Sequence, residues 1–583
     1  MVWACLAPAT AQTDLFVSVG QAGELRQAVE AISETAVHTT TSMKVIGPLD
    51  GNDMMFIREM CGVSDIDTPT EGILRSLDLS DAYFVESSSP YLSLDGKQYV
   101  SQNERFGTAF LYNCQHLEEV VLPFSVAAID SLAFANCKRL RSIEIPASVQ
   151  EIGYAAFVGC DSITSLTLPH SVLRIGEGAF QSMASLEELS LGDGVESVDN
   201  SIVLGDDKLR AISLGLRFRE FHPVIFYTSP ALTDIYVSEG NPYYRSLDGV
   251  LFTVQTDTLL AFPPASPIDD YVVPDGVKCI ANCAFRNASQ LRSVSMPTSL
   301  ETIDSLAFFA CDELRDVTLN EGLQRIAFGA FGQFLDQPSS LSGLHIPSTV
   351  DVIEGGAFLF NSGLTDLNVD ARNSSYATGN DGVLYDSHFT EVCHVPCGAD
   401  ELDFPESVTA IGPYALAGCG SMSWLNLPDH VTTIGDCAFA YATGIRQISL
   451  GKGVSRVGDM VVDGCLSLTS LLFFPSSISD DHLTEMSFLD GEGAVASQCT
   501  LYVMPGTAQV YINKKGFCSL EDGHSFFAEI KEMSDPDDIG QPLSTEPVNA
   551  VPYNLGGRRV MNGERGWQLL VQPRGKTLKK WVR

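Results

Sequence analysis

The chain has 583 residues, of which 45% are hydrophobic, and a formal net charge of −38 at pH 7. This length exceeds what a single hydrophobic core usually supports, unless the core is extended by repeated units. The sequence contains no run of 18 apolar residues that could span a membrane. The acidic balance argues against nucleic-acid binding, which uses a basic face.

The first residues, MVWACLAPATAQTDL, are interpreted as a shortened export signal covering residues 1–13. Ala9-Thr10-Ala11 before Gln12 has the small residues of a signal-peptidase site, whereas a basic start and most of an apolar region are missing. A plain disordered start is the alternative. A lipoprotein cysteine at Cys5 is disfavoured, because Trp3 suits that motif poorly. We therefore expect an exported protein.

From residue 102 onwards the sequence repeats itself with a fixed period. The segments AIDSLAFANC, EIGYAAFVGC and RIGEGAFQSM, which end at Cys137, Cys160 and Met183, are successive copies, so the period is 23. The unit is L-x-x-Φ-x-Φ-P-x-S-V-x-x-I-x-x-x-A-F-x-x-C, where Φ is apolar. Its first part alternates apolar and polar residues, which predicts a short strand that the proline ends. Its second part suits a tight helical or 3₁₀ turn.

Because one such unit buries too little apolar surface to fold alone, the sequence predicts a repeat solenoid with parallel strands along one face. The repeats are expected in three blocks, at residues 102–240, 280–372 and 408–476. Phenylalanine marks one column of the repeat: Phe134, Phe157, Phe180, Phe285, Phe308, Phe331, Phe358 and Phe439.

A second column is rich in cysteine. It holds Cys114, Cys137, Cys160, Cys311, Cys419 and Cys465, and elsewhere Met183, Ala288, Ala442 and Asp206. Small and mostly apolar residues suit a buried slot of limited volume. A catalytic thiol would be single and would need a base nearby. We therefore interpret the cysteines as packing residues and expect free thiols.

Two hairpin islands interrupt the repeats, at residues 241–279 and 373–407. They share Asp-Gly-Val-Leu, beginning at Asp248 and Asp381, and Asp-Gly between apolar stretches predicts a turn. After the repeats, residues 534–550 are polar and rich in proline, which indicates a linker.

The last segment, residues 551–583, differs from the rest of the chain in its charge. It holds eight Lys/Arg and one acid, a balance of +7, so the first 550 residues carry −38 − 7 = −45. This break predicts a separate small β module. Its basic charge suggests a role in sorting or in attachment to an anionic surface polymer.

Motifs of enzymes and metal sites are scarce. The sequence lacks His-Glu-x-x-His, Gly-x-Ser-x-Gly and a phosphate loop. Cys279-x₃-Cys283 and Cys393-x₃-Cys397 suggest a metal site, but zinc pairs usually have closer spacing. We therefore predict no catalytic, cofactor-binding or metal-binding residues. Asp386, His388 and His394 form the only titratable cluster that a hydrolase would use.

The predicted strands offer their outward side chains for binding, because the third and fifth positions of L-x-x-Φ-x-Φ face away from the core. These positions are mainly Ser, Thr and acids, whereas Tyr236 and Trp424 are aromatic, and exposed aromatics often anchor interfaces. The candidate binding residues are Glu119, Glu144, Glu188, Asp234, Tyr236, Asp316, His345, Asp366, Trp424 and Gln447.

The unit LTLPHSVLRIGEGAF, residues 166–180, resembles the BspA-type leucine-rich repeat, as found in Bacteroidales surface proteins. MKVIGPLDGNDMMFIREM and LRSLDLSDA resemble the N-terminal capping region of that family, which places the cap at residues 14–101. LYVMPGTAQVYINKKGF resembles its last unit, which places a C-terminal cap at residues 477–533. PYNLGGRRV with RGKTLKKWV resembles a short C-terminal module of exported proteins. The resemblance implies a secreted or surface-held protein and, for some members, adhesion.

The predicted function is that of a non-enzymatic binding protein without a cofactor, secreted or at the cell surface. The expected partners are host or bacterial surface proteins or glycans, with no nucleic acid and no membrane span, and the chain is expected to be a monomer. Two alternatives remain. One is a hydrolase or carrier activity in the hairpin islands or the tail, and the other is a structural spacer that holds the basic tail away from the membrane.

Overall fold

A computed structural model shows the chain as a solenoid of short parallel strands, as the repeat predicts. It describes residues 14–64, 68–94, 96–335, 337–399, 402–475, 478–479, 482–491, 494–512, 514–519 and 524–533, and three strands after residue 551. The predicted export signal and the predicted linker lie outside the described residues.

The N-terminal region joins helices and hairpins to the start of the array. Its elements are β1 (Asp14–Ser18), α1 (Leu25–Ile32), α2 (Ala36–Thr39), β2 (Ser42–Leu49), α3 (Gly51–Met60), β3 (Ser76–Asp78), β4 (Ala82–Phe84), β5 (Pro90–Leu94) and β6 (Lys97–Val100). A capping box begins α3, since the Asp50 side chain accepts from the N–H groups of Asn52 and Asp53, and the Asp53 side chain accepts from the N–H of Asp50.

Buried Arg58 at the end of α3 ties this region to the first repeat. Its Nη1 donates to the carbonyls of Ala109 and Phe110, at 2.9 and 2.8 Å. These carbonyls have no preceding repeat beside them. A buried charge therefore has hydrogen-bond partners, and the open end of the array is closed.

The first block of repeats contains β7 (Arg105–Phe106), β8 (Glu119–Val121), β9 (Ala128–Ile129), β10 (Ser142–Glu144), β11 (Glu151–Ile152), β12 (Ser165–Thr167), β13 (Arg174–Ile175), β14 (Glu188–Ser190), β15 (Ala211–Leu214), α4 (Val224–Tyr227) and β16 (Asp234–Val237). Each regular unit contributes one longer strand and one strand of two residues. The longer strands pair in parallel in the order β1-β2-β3-β8-β10 and then β12-β14-β15-β16, and the short ones in the order β13-β11-β9-β7.

The middle block contains β17 (Tyr244–Leu247), β18 (Val250–Thr253), β19 (Thr258–Ala261), β20 (Asp270–Val272), β21 (Cys279–Ile280), β22 (Ser293–Ser295), β23 (Thr302–Ile303), β24 (Asp316–Thr318), β25 (Arg325–Ile326), β26 (Gly343–Ile346), β27 (Val352–Ile353) and β28 (Asp366–Val369). Pairing with the repeats already begins within the predicted hairpin island, where β19 pairs with β21 and β20 pairs with β22.

The last block contains β29 (Tyr376–Thr378), β30 (Leu384–Asp386), β31 (Glu391–His394), β32 (Ala410–Ile411), β33 (Trp424–Asn426), β34 (Thr433–Ile434), β35 (Gln447–Leu450), β36 (Arg456–Val457), β37 (Ser470–Phe473), α5 (Ala494–Gln498), β38 (Thr500–Val503), α6 (Ala508–Tyr511) and β39 (Glu529–Glu532). The basic C-terminal segment forms a three-stranded antiparallel sheet of β40 (Pro552–Asn554), β41 (Gly566–Val571) and β42 (Thr577–Val582).

After the short strand of each unit, the Ala-Phe segment forms consecutive tight turns closed by i→i+3 hydrogen bonds, such as Ala135 N–H to Leu132 O at 3.0 Å, in keeping with the tight turn that the sequence predicts. Alternate N–H groups of this segment donate to the next unit: Phe134 N–H donates to Ala156 O, and Phe157 N–H donates to Ala179 O, both at 2.8 Å. The rings stack in register, with centroids 5.0 Å apart for Phe134 and Phe157. Each unit is therefore completed by its neighbour.

The cysteine column is buried, and its thiols are free, as predicted. Most of these thiols also have an acceptor that the sequence did not reveal. Cys160 Sγ donates to Phe134 O at 3.1 Å, and Cys311 Sγ donates to Phe285 O at 3.0 Å. Cys137 and Cys465 bond in the same way to the carbonyl 26 residues earlier. Cysteine fits this slot because it fills a small apolar volume and still supplies a weak donor.

Both predicted hairpins are present, and we call them the middle hairpin (β17–β18) and the late hairpin (β29–β30). An asparagine before each one bonds it to the preceding unit. Asn241 Nδ2 donates to Gly215 O and Phe218 O, and Asn373 Nδ2 donates to Pro347 O and Val350 O.

A third hairpin, β5–β6, which we call the N-terminal hairpin, was not predicted. Its sequence SPYLSLDGKQYV resembles NPYYRSLDGVLF of the middle hairpin, and this match is the signal that our sequence analysis missed.

Thiol reactivity tests the burial of the cysteines. Burial raises the pKa of Cys311 to about 12, of Cys393 to about 12 and of Cys279 to about 11, so little thiolate forms at neutral pH. We expect these three cysteines and the buried Cys137 and Cys160 to react slowly with a thiol reagent at pH 8 in the native protein, and all 15 cysteines of the chain to react after denaturation. Rapid modification of Cys137 or Cys160, located by peptide mass spectrometry, would contradict the packing.

Asp206 occupies the cysteine column and should make stability depend on pH. It is fully buried, its Oδ1 accepts from Met183 N–H at 2.5 Å, and its Oδ2 has no partner among the described residues. Burial raises its pKa from 3.8 to about 8. Because the folded-state pKa lies above the unfolded one, this contribution to stability is complete below about pH 4 and is lost as the pH rises towards 8.

We therefore expect Asp206→Asn to remove this dependence, since an amide keeps the Oδ1 acceptor and carries no charge. Between pH 5 and 8, the free energy of unfolding of the unmodified chain should fall relative to that of the variant by up to about 1.4 kcal/mol per pH unit. Urea titrations at several pH values measure this difference. Asp207→Asn, on the exposed neighbour whose charge adds a smaller rise to the same pKa, is the control and should keep most of the pH dependence.

Candidate functional site

The candidate site is the outward side of the longer strands, which we call the strand face. It comprises the outward side chains of β8, β10, β12, β14, β15, β16, β20, β22, β24, β26, β28 and β33. Alternation along each strand puts apolar residues such as Val120 and Leu166 in the core and turns their neighbours outward. In-register pairing then aligns equivalent positions, for example Glu188 with Ala211 and Ala211 with Asp234.

Eight of the ten predicted binding residues are exposed on this face: Glu119, Glu144, Glu188, Tyr236, Asp316, His345, Asp366 and Trp424. Asp234 is half-buried. Tyr236 and Trp424 are 50% and 44% exposed, so both aromatics are accessible to a partner.

The expectation that Gln447 is exposed is wrong. Its exposed fraction is only 9%, and every residue of β35 and β37 is buried. The sheet is covered on both sides at these strands, so the alternation that exposes every second residue elsewhere ends there. Gln447 is therefore removed from the strand face.

Two exposed residues of the strand face were missed, because they lie within a predicted hairpin island. Asp270 and Val272 on β20 pair with Ser293 and Ser295, and Val272 is 72% exposed. Their signal in the sequence is their position, one repeat period before Ser293 and Ser295. Since Val272 is apolar and Asp270 is charged, this part of the strand face is partly apolar and partly acidic.

The strand face carries charge of one sign. Its acidic residues are Glu119, Glu144, Glu188, Asp234, Asp270, Asp316 and Asp366, and no outward position of these strands holds Lys or Arg. The arginines stand just before the strands and meet acids there: Arg141 lies 3.5 Å from Glu118, and Arg292 lies 3.3 Å from Asp269. The strand face is therefore acidic, whereas the acids just before the strands are partly neutralised by these arginines.

Tyr236 and Asp234 are neighbours on the same outward side of β16. The carboxylate of Asp234 raises the pKa of the Tyr236 phenol, so the phenol stays neutral at physiological pH. Thr233 Oγ1 donates to Asp234 Oδ2 at 2.8 Å and holds that carboxylate at the surface. Together they offer a neutral aromatic ring beside an anionic acceptor.

The side chains of the predicted hydrolase cluster do not form one site. Asp386 accepts from Thr390 N–H, Thr390 Oγ1 and Glu391 N–H, at 2.5, 2.7 and 2.7 Å. Although burial alone would raise the pKa of Asp386, these hydrogen bonds hold it below its ordinary value. The carboxylate is thus occupied in shaping the turn before β31. His388 is exposed and lies 3.3 Å from Ser387 Oγ.

His394, the third member, is buried against Phe358, with ring centroids 5.2 Å apart. Burial lowers its pKa to about 4, so it is neutral, and its Nε2 has no hydrogen-bond partner among the described residues. It lines a small cavity together with Glu391, Cys393 and Gly412. Within the described residues, no group of three or more His, Cys, Asp or Glu is arranged to hold a metal ion.

The repeat also identifies the family. A model of the BspA type leucine rich repeat region matches six copies, over residues 104–233, 261–379 and 389–488. The chain belongs to the BspA-type leucine-rich repeat family. The resemblance predicted from residues 166–180 is thereby confirmed.

Solved structures with a similar arrangement come from several bacteria. The pneumococcal vaccine antigen PcpA is 16% identical, with 72% of this chain and 80% of that chain covered and a TM-score of 0.34. A leucine-rich repeat protein from Eubacterium ventriosum is 17% identical, with 62% and 80% covered and a TM-score of 0.38. A leucine rich cell surface protein from Faecalibacterium prausnitzii is 21% identical, with 61% and 85% covered and a TM-score of 0.35. No curated protein matches the chain.

Family membership and the repeat architecture indicate a repeat-based interaction or surface protein. Among the helices of the described residues, none has the length and hydrophobicity to cross a bilayer.

If Asp386 only shapes its turn, its removal should lower stability. We expect Asp386→Ala to reduce the free energy of unfolding by about 1–3 kcal/mol, because the N–H groups of Thr390 and Glu391 lose their acceptor. His388→Ala, at the exposed neighbour, should change it by less than about 0.5 kcal/mol. Denaturant titration of both variants checks this. An unaltered unfolding midpoint for Asp386→Ala would contradict the structural role.

Proposed function

We propose that the chain is a non-enzymatic binding protein, secreted or held at the cell surface, whose strand face binds proteins with a basic surface. The observation that carries this proposal is the acidic face without Lys or Arg, with Tyr236 and Trp424 exposed within it. Complementary charge favours such partners and speeds their encounter, while exposed aromatics supply area that excludes water.

The selectivity of this face follows from its charge. A partner with an acidic surface would be repelled by the carboxylates of most strands of the face. A partner with a basic surface would instead be attracted by each of these carboxylates. Individual exposed pairs contribute little, about 0–1 kcal/mol each, but the face repeats them along successive strands. Affinity should therefore grow with the number of units that a partner covers.

Export is supported by the Ala9-Thr10-Ala11 segment and is compatible with the cysteines. Outside the cytoplasm, exposed thiols oxidise or pair. Cys114, Cys137 and Cys160 are instead buried, and burial raises the pKa of Cys137 and Cys160, which keeps them as unreactive thiols. These two thiols can thus stay reduced in an oxidising environment.

Charge reversal tests the strand face. We expect Glu188→Lys/Asp234→Lys to weaken binding of the full chain to lysozyme, a basic probe, at least 10-fold at low ionic strength, equivalent to about 1.4 kcal/mol. α-Lactalbumin, which has the same fold as lysozyme and an acidic surface, should bind far more weakly to the unmodified chain. Surface plasmon resonance at several salt concentrations measures both, beside a panel of extracellular-matrix proteins.

The matched control is Glu301→Lys/Asp351→Lys, which changes the net charge equally at exposed acids away from the strand face. It should retain most of the affinity. Equal binding of lysozyme and α-lactalbumin, or an equal loss in both double variants, would show that the strand face is not the binding site.

A further inference from the structure

A polar cavity of about 380 Å³ lies between the N-terminal hairpin and the first short strands of the array. We call it the hairpin cleft, and its lining includes Lys97, Gln98, Tyr99, Arg105, Asp130 and Glu151. It is on a different part of the surface from the outward residues of the strand face. Its volume falls in the range of small-molecule sites.

The cleft exists because one strand pairing of the repeated hairpin module is missing. In the middle hairpin β18 pairs with β19, and in the late hairpin β30 pairs with β31. In the N-terminal hairpin, β6 pairs with β5, and the strand that follows, β7, pairs with β9. Among the described residues no ladder joins β6 to β7, and the space between them is open.

The loop between β6 and β7 is held in this arrangement. Buried Ser101 donates through Oγ to Val85 O at 2.7 Å, and Ser87 N–H donates to Ser101 O at 3.3 Å. Asn103 Oδ1 accepts from Glu86 N–H at 3.0 Å. The loop is therefore anchored on the chain that precedes the hairpin, which indicates a built opening rather than a frayed edge.

The residues of β6 differ in character from their counterparts. Val250, Leu251 and Phe252 follow Asp-Gly in the middle hairpin, Val383, Leu384 and Tyr385 do so in the late hairpin, and all six are buried in the core. The corresponding residues of β6 are Lys97, Gln98 and Tyr99, of which the first two are exposed and the third is half-buried. The middle and late hairpins therefore place buried apolar residues at these positions, whereas the N-terminal hairpin places polar residues there, and these residues form one wall of the cleft.

The charges of the cleft balance each other. Arg105 Nε donates to Asp130 Oδ1 at 2.9 Å, and Arg105 Nη1 lies 4.0 Å from Glu151 Oε2, which also meets Arg174 at 3.3 Å. Lys97 lies over the ring of Tyr99, 5.2 Å from its centroid. Two cations and two carboxylates leave no net charge to hold a free anion, and the polar lining does not suit an apolar ligand.

We propose that the hairpin cleft binds a neutral saccharide of one or two sugar units. Sugar hydroxyls both donate and accept hydrogen bonds. The cleft offers carboxylate acceptors next to guanidinium and amide donors, so both properties of a hydroxyl find partners there. Tyr99 contributes an aromatic ring to the lining, and the exposed, flexible side chain of Lys97 above that ring can move aside for the apolar face of a pyranose. This inference is independent of the proposed strand-face function, and it gives the protein a second, glycan-directed contact.

Titration of the full chain with N-acetylglucosamine, lactose, maltose, glucuronate and inorganic phosphate tests the proposal, read by saturation-transfer NMR and calorimetry. At least one neutral sugar should bind with a dissociation constant on the order of 1 mM or tighter. Tyr99→Ala should weaken it at least 10-fold, whereas Tyr99→Phe should retain it. Lys97→Val/Gln98→Leu, which copies the middle hairpin, should abolish it while the circular dichroism spectrum is kept.

The strand-face variant Glu188→Lys/Asp234→Lys should bind the sugar normally, so failure of one proposal is distinguishable from failure of the other. The proposal is overturned if no neutral sugar binds, if phosphate or glucuronate is preferred, or if Tyr99→Ala binds as well as the unmodified chain.

Discussion

The fold depends on one constraint: no single repeat unit can satisfy its own backbone or bury its own apolar side chains. Phe134 N–H bonds to the next unit at Ala156, and the ring of Phe134 stacks on that of Phe157. Burial of one Leu, Ile or Phe contributes about 1.5–3 kcal/mol, whereas a net hydrogen bond contributes about 0.5–1.5 kcal/mol. Apolar stacking therefore supplies most of the stability, and the hydrogen bonds set the register between neighbours.

The same constraint explains the cysteines and the two ends of the array. The slot that recurs in every unit takes a small side chain, and where that side chain is cysteine, as at Cys160, it also supplies a donor to the carbonyl 26 residues earlier. Asp206 fits the slot by volume and becomes a titratable residue inside the core. At the first unit, where no preceding repeat exists, Arg58 supplies the donors from outside the array.

A solenoid of this kind also keeps residues that face solvent apart from residues that build the core. The outward residues of the strand face do not contribute to the core, so acids and Tyr236 are tolerated there at little cost to stability. The hairpins interrupt the repeat and separate the hydrophobic core, with Leu251 of β18 in one core and Val250 and Phe252 in the next. The N-terminal hairpin stands at the start of the repeats, where polar residues replace that shared core, and this difference produces the hairpin cleft.

The sequence by itself determined the period, the solenoid, the two later hairpins, the buried cysteine column and the exposure of Tyr236 and Trp424. These features follow from the alternation of apolar residues and its recurrence at a constant period, which are local patterns that every copy repeats. Tertiary structure alone decided the burial of Gln447, the use of Asp386 in a turn, the acceptors of the thiols and the opening between β6 and β7. Each of these depends on contacts between segments whose pairing no local pattern specifies, such as the anchoring of Ser101 on Val85 or the covering of β35 on both faces.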